Sequence, residues 1–152
     1  MPMLAPQPVR IATDGACKNN PGPGGWAAIL QAGAHEKTLM GAALSTTNNR
    51  MELTAVIMAL RPLKRPSAVT ILTDSRYVID GFTQWLPAWK ARNWRTSSKK
   101  PVLNEDLWRA LEQAALPHCI HWQWVKGHSG HPLNERADRM ANQAIQAMLN
   151  PL

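Results

Sequence analysis

Four carboxylates, Asp14, Glu52, Asp74 and Asp138, stand where regular elements are expected to begin or end, each inside a polar or glycine-containing stretch. Asp14 lies at the close of an apolar run, ahead of Gly15-Ala16-Cys17-Lys18-Asn19-Asn20-Pro21-Gly22-Pro23-Gly24-Gly25, a loop whose composition cannot be helical. Glu52 ends Thr46-Thr47-Asn48-Asn49-Arg50-Met51-Glu52, Asp74 follows Leu72-Thr73, and Asp138 follows Gly127-His128-Ser129-Gly130-His131-Pro132-Leu133-Asn134-Glu135-Arg136-Ala137. Taken singly, each acid reads as a helix cap or a surface charge. Gathered at one site, four carboxylates repel by a few kcal/mol per pair at an effective dielectric of ~20, and hard divalent cations resolve that repulsion. Mg²⁺, with Mn²⁺ as a substitute, suits carboxylate oxygens and leaves positions open for water and a phosphate oxygen. Two such ions roughly 4 Å apart activate water on one side of a phosphodiester and stabilise the leaving oxygen on the other.

His128 stands in a glycine-containing loop leading to the helix that bears Asp138, and an unperturbed imidazole both accepts and donates a proton near neutrality. The bland reading of a lone loop histidine is a solvated side chain. His118, Cys119, His121, His128 and His131 fit no regular zinc spacing. Gly22-x-Gly24-x-x-Ala27 has the form of a dinucleotide fingerprint, but the residues after it alternate as a strand where that motif requires a helix. Between Gly81 and Asn104 there is no acid, while Lys90, Arg92, Arg95, Lys99 and Lys100 interleave with Trp85, Trp89 and Trp94. Basic and aromatic residues mixed in this way track a phosphate backbone, although some of the tryptophans are equally candidates for helix packing.

The elements that must position these groups follow from periodicity. Val9, Ile11 and Thr13 alternate into Asp14; Trp26, Ala28 and Leu30, then Thr38, Met40, Ala42 and Leu44, give two more strands in hairpin succession. Asn48 or a preceding threonine caps a helix whose Leu53, Val56, Ile57 and Leu60 form one apolar stripe. Ala68 to Leu72 reads as a buried strand that presents Asp74. Helices are expected over 75–81, 84–90 and 105–116, a fifth strand over 120–125, and a last helix capped by Asn134. The order β-β-β-α-β-α-α-α-β-α implies an α/β fold, a five-stranded mixed sheet with its first three strands antiparallel and helices on both faces. In such sheets ligands bind beyond the carboxyl ends of the strands, where Asp14 and Asp74 are placed.

With 152 residues the chain suits one domain able to bury a core without staples. Residues 1–8 read as a disordered lead and 9–149 as the domain, with a basic protrusion over about 85–103. Setting the four candidate acids aside, 17 basic residues against six acids leave a scaffold of +11, a surface that attracts polyanions around an acidic pocket. Two cysteines are too few for a disulfide framework, and neither a secretory signal nor a run of about 18 apolar residues is present; a soluble, cytoplasmic protein with reduced thiols is expected.

The four blocks, in this order and spacing, resemble ribonuclease H of the bacterial type 1 family from about Val9 to about Met148. The resemblance implies the ribonuclease H-like fold and a monomeric, Mg²⁺-dependent endonuclease that cuts the RNA strand of RNA–DNA hybrids, leaving 5′-phosphate and 3′-hydroxyl ends. It makes Asp14, Glu52, Asp74 and Asp138 catalytic metal ligands and gives His128 a part in proton transfer or product release. It carries 2′-hydroxyl contacts to Cys17, Asn20, Asn48 and Asn49, which bear on strand choice because only RNA has that hydroxyl. Thr47 and Asn104 match residues that bind a DNA phosphate, and Trp85, Trp89, Lys90, Arg92, Arg95 and Lys99 fall in the protrusion that holds the DNA strand. Arg76 occupies a substrate-contact position where an amide side chain is common, and Ser45 one where relatives can carry a base. The rival readings are a related-fold DNA nuclease, against which Asn20 and Asn48 argue, and a non-catalytic hybrid-binding module, whose signature would be loss of site acids.

Overall fold

A computed structural model describes residues 7–127 and 130–151. Strands β1 (Gln7–Cys17), β2 (Gly22–Ala32) and β3 (His35–Thr46) form an antiparallel meander; β4 (Ser67–Thr73) and β5 (Cys119–Trp124) add in parallel, giving the order β3-β2-β1-β4-β5. The sheet is thus the mixed five-stranded one expected. β1 begins at Gln7 rather than Val9 because Gln7 and Pro8 already pair with Ser67 and Ala68. Residues 1–6, most of the expected disordered lead, lie outside the described residues.

The helices are α1 (Asn48–Leu60), α2 (Arg76–Asp80), α3 (Leu86–Ala91), α4 (Glu105–Ala115) and α5 (Pro132–Leu149). Alternation along the strands separates two cores. Ile11, Ala28, Leu30, Val69 and Ile71 pack with Leu53, Val56 and Leu60 of α1 on one face, while Ala27 and Ile29 meet Ala137 and Ala141 of α5 on the other. Helices therefore cover both faces, and β4, interior to the sheet, buries Val69, Ile71 and Leu72.

Two local expectations are corrected, and one left open is resolved. The two short helices expected over 75–90 are one continuous run, α2 and α3 joined by a wide π-helical turn over Gly81–Trp85. Gly81 lies against the fully buried Trp108 ring of α4, where any Cβ would overlap the indole, so the run is held to the core at that point. Asn134 does not cap α5; His131 occupies the N-cap, Pro132 with its fixed φ starts the helix, and Asn134 lies in the first turn. Of the three tryptophans placed near the basic segment, Trp94 is core, 7% exposed, and Trp89 packs between Trp85, Trp94 and Trp108 at centroid distances of 6.1, 6.4 and 5.4 Å. Trp85, 40% exposed, remains at the surface.

Candidate active site

The carboxyl ends of β1, β3, β4 and β5 lie at one edge of the sheet, and the site is built there. Asp14, paired with Ala27 of β2 and only 7% exposed, is followed by Gly15, whose missing side chain lets α1 approach: a Cβ would overlap the backbone of Met51 and Glu52. That close approach brings Glu52 of α1 beside Asp14. Thr47 caps α1, its hydroxyl accepting from the Arg50 N–H at 3.2 Å, and so fixes the turn on which Glu52 rides. Asp74 sits between β4 and α2, where the Thr73 hydroxyl accepts from Ser75 N–H at 3.0 Å and the Ser75 hydroxyl caps α2 through Val78 N–H at 3.2 Å. Gly127 lies against Asp74; a Cβ there would stand 2.9 Å from Asp74 Oδ2. Asp138, in the second turn of α5, lines the same cavity as Asp14 and Asp74.

Oxygens of Asp14, Glu52 and Asp74 converge to within 4.8 Å of one another. Burial first, then the charge of Asp74 and a hydrogen bond shared with Asp138, push the Asp14 carboxyl up to about 8. Glu52 is pushed well above the usual carboxylate range, by burial first and then by the charges of Asp14 and Asp74. Glu52 Oε1 is buried without a hydrogen-bond partner, the kind of group that native interiors rarely leave unmatched. An all-oxygen, anionic donor set with an unmatched buried oxygen fits a hard divalent cation of the Mg²⁺ type. The trio holds no ligand softer than oxygen.

Around this core the structure places the other sequence-derived residues. Asn20 Oδ1 accepts from the Asn48 backbone N–H at 2.9 Å, tying the β1–β2 loop to the start of α1; Asn49 stands beside it, and Cys17 lies within sulfur hydrogen-bond range of the Thr46 and Gly22 carbonyls. Asn104 precedes α4 in the left-handed region, φ 60°, which asparagine tolerates; its side chain donates to Tyr77 and accepts from Arg50. Thr47 and Asn104 are therefore linked through Arg50, which also forms a paired contact with Asp106 at 2.7 and 3.0 Å. Arg92, Arg95, Lys99 and Lys100 are exposed, whereas Lys90 is ion-paired with Glu112 at 2.7 Å. His128 lies outside the described residues.

Sequence reasoning assigned no role to Arg50, although it stands between Asn49 and Glu52, two residues that did receive one. It also missed Lys126, His131, Asn134 and Glu135, which line the carboxylate cavity. For Asn134 and Glu135 the signal was their spacing from Asp138, four and three residues ahead of it on the same helix face.

The family description RNase H matches residues 6–146. Ribonuclease H of Cupriavidus metallidurans is 61% identical over 142 residues, 93% of this chain and 98% of that protein. Ribonuclease H of Hydrogenovibrio crunogenus is 59% identical over the same shares. The crystal structure of LC9-RNase H1, described as a type 1 RNase H with the type 2 active-site motif, superposes with a TM-score of 0.87 at 32% identity, over 96% of this chain and 75% of that one.

Proposed function

The chain belongs to the RNase H family, and from that premise we propose that it hydrolyses the RNA strand of RNA–DNA hybrids, leaving 5′-phosphate and 3′-hydroxyl ends. The observation that carries the reading is the convergence of Asp14, Glu52 and Asp74 to within 4.8 Å, with Asp138 lining the same cavity. These four carboxylates are the residues that would hold two Mg²⁺ ions, or Mn²⁺ in their place. Such a pair, when bound, supplies a lowered pKa for the attacking water and positive charge for the departing oxygen. The protein's contribution is arrangement: Gly15 and Gly127 let α1 and the β5–α5 loop close on the carboxylates, so that little reorganisation remains when substrate arrives. His128 carries protons between the site and solvent in this reading, a role that rests on the family resemblance.

Strand choice follows from Cys17, Asn20, Asn48 and Asn49 beside the carboxylates, where they meet the 2′-hydroxyls of the strand being cut. Thr47 and Asn104 take a phosphate of the DNA strand; Trp85 and the cations Arg92, Arg95 and Lys99 extend that contact, with Trp89 and Lys90 beneath or beside them. Residues 9–149 act as one domain, a monomer in the cytoplasm. No helix among the described residues is long and apolar enough to cross a membrane.

A gel assay with end-labelled hybrid decides the matter. Cleavage of the RNA strand with Mg²⁺, its abolition by EDTA, and no cutting of the corresponding duplex DNA are expected; an intact hybrid under these conditions overturns the reading. Phosphatase treatment of the fragments, followed by a mobility shift, tests the 5′-phosphate.

A further inference from the structure

Trp124 closes the β5 end of the carboxylate edge, and neither metal binding nor strand choice makes use of it. This indole is 47% exposed, yet it is fixed: its Nε1–H donates to the Asp74 main-chain carbonyl at 3.2 Å. Over its ring, 5.5 Å from the centroid, lies the Arg76 guanidinium. Arg76 is itself 64% exposed, and its nearest carboxylate, Asp80, stands 3.9 Å away, too far and too wet to consume the charge. The guanidinium thus lies over the indole, with only a long, partly solvated pair to Asp80 beside it. Pinning a rotamer-rich side chain in advance lowers the cost of ordering it around a ligand.

The sheet fixes where that cation lies. Trp124 pairs in parallel register with Thr73, and β4 pairs in parallel with β1. From Asp14 past Asp74 to Trp124 therefore crosses two strand spacings, roughly 10 Å. Asn20 and Asn48 bound the carboxylates on the other side, at the end of β3. A strand laid over the carboxylates would run between these two boundaries, its next phosphate falling on the β5 side, where Arg76 lies over Trp124. A guanidinium offers that phosphate a planar donor fork, which an amide at the same position lacks.

We propose that Arg76, held in place by Trp124, binds a phosphate of the cut RNA strand on the β5 side of the scissile bond, with Trp124 as its positioning residue. The proposal rests on the hybrid-cleaving reading of the carboxylate site. The experiment compares wild type with Arg76→Gln, Trp124→Ala, Trp124→Phe and the Arg76→Gln/Trp124→Ala double variant, using hybrids that carry one neutral methylphosphonate linkage scanned along either strand. Arg76→Gln is expected to weaken hybrid binding roughly 3- to 10-fold and to flatten the slope of log affinity against log salt by about 0.9, one phosphate contact. Trp124→Ala should give the same loss, with no further loss in the double variant, and Trp124→Phe, which keeps a ring under the guanidinium, should retain most of the affinity. One methylphosphonate position in the RNA strand should weaken wild type and leave Arg76→Gln indifferent. An unchanged salt slope in Arg76→Gln, additive losses in the double variant, or a sensitive linkage in the DNA strand would overturn the proposal. Because Arg76 is exposed, its variant reports even if Trp124→Ala fails to fold. A wild-type protein that cuts no hybrid defeats the underlying reading, whereas efficient wild-type cleavage matched by Arg76→Gln in affinity and salt slope defeats this proposal alone.

Discussion

The carboxylate edge and the basic segment between Gly81 and Asn104 gather charge in opposite ways. At the carboxylate edge, four carboxyl groups come from β1, α1, the end of β4 and α5, elements separated by long stretches of sequence. Nothing local brings them together; two packed cores and the close approach at Gly15 do, against their mutual repulsion. The basic segment is assembled over some twenty consecutive residues, its charges spread over solvent while Trp89, Trp94 and Trp108 supply the packing beneath. Even there the charge is managed: Lys90 pairs with Glu112, and Arg109 of α4 stacks over Trp94 at 4.5 Å. An electrostatically costly constellation requires the whole fold, whereas the basic segment needs only its seat on the Trp89, Trp94 and Trp108 side of one core. Perturbing the first should change chemistry and stability together; perturbing the second should change affinity alone.

The largest effect is expected at Asp14. Asp14→Asn keeps the size of the side chain and removes one carboxylate from the group that would hold the cation, so hybrid cleavage should fall by ~10³ or more under saturating Mg²⁺. Its effect on stability should have the opposite sign. The folded-state carboxyl is raised from 3.8 to about 8, so between those values the folded protein holds a proton that the unfolded chain has released. The unfolded state then binds fewer protons than the native state, and metal-free stability falls as pH rises from about 4 to about 8. Asn escapes this loss. In EDTA at pH 8 the variant should be more stable than wild type by at least about 2 kcal/mol in urea denaturation, with the difference shrinking towards pH 4. A wild-type stability that climbs through this window would contradict the electrostatic account of the site.

How far the site was legible in the sequence follows from the same contrast. Asp14, Glu52 and Asp74 could be picked out because each borders an apolar pattern, and patterns of period 2 and 3.6 report which face is buried. Their meeting could not be read from any one stretch; it required the family resemblance, since the approach of α1 to β1 depends on a three-dimensional contact at Gly15. The tryptophans show the limit from the other side. Trp85 and Trp94 look alike in sequence, among the same cations, yet one is at the surface and the other in the core. Side-chain burial there depends on how α2 and α3 run on through the Gly81–Trp85 turn, which helix periodicity, expecting two separate helices, did not contain. Arg50 and Trp124 escaped notice because their partners, Asp106 and Asp74, lie 56 and 50 residues away.

Gly15→Ala sharpens the comparison with Asp14→Asn. The added methyl meets the Met51 and Glu52 backbone, and neither can rotate away, so α1 must shift from β1. Both properties should then move the same way: a loss of about 1 to 3 kcal/mol in stability, with turnover down by ~10² as Glu52 leaves its place. Wild-type values for both would show that Gly15 is not what sets the separation of the carboxylates. His128→Ala, by contrast, should slow turnover by roughly 10- to 100-fold and leave hybrid affinity close to wild type, because water can partly replace a proton carrier. Collapse of binding with intact single-turnover chemistry would make His128 a substrate contact instead.

The smallest effects belong to the basic segment, and they separate its members. Arg92 and Arg95 are exposed to solvent, while Lys90 already holds Glu112 at 2.7 Å and would have to give up that pair to meet a phosphate. Each phosphate contact on a duplex adds about −0.9 to the slope of log affinity against log salt. Arg92→Gln with Arg95→Gln should therefore flatten the slope by up to about 2 and weaken binding most at low salt, and Lys90→Gln alone should flatten it by less than about 0.5. Cleavage of fully bound hybrid should remain within about twofold of wild type in each case, since none of these side chains lines the carboxylate cavity. A slope unchanged by the double replacement would mean that the segment is a solvated face. A change in the cleavage step itself would mean that the two regions, built so differently, are nonetheless coupled.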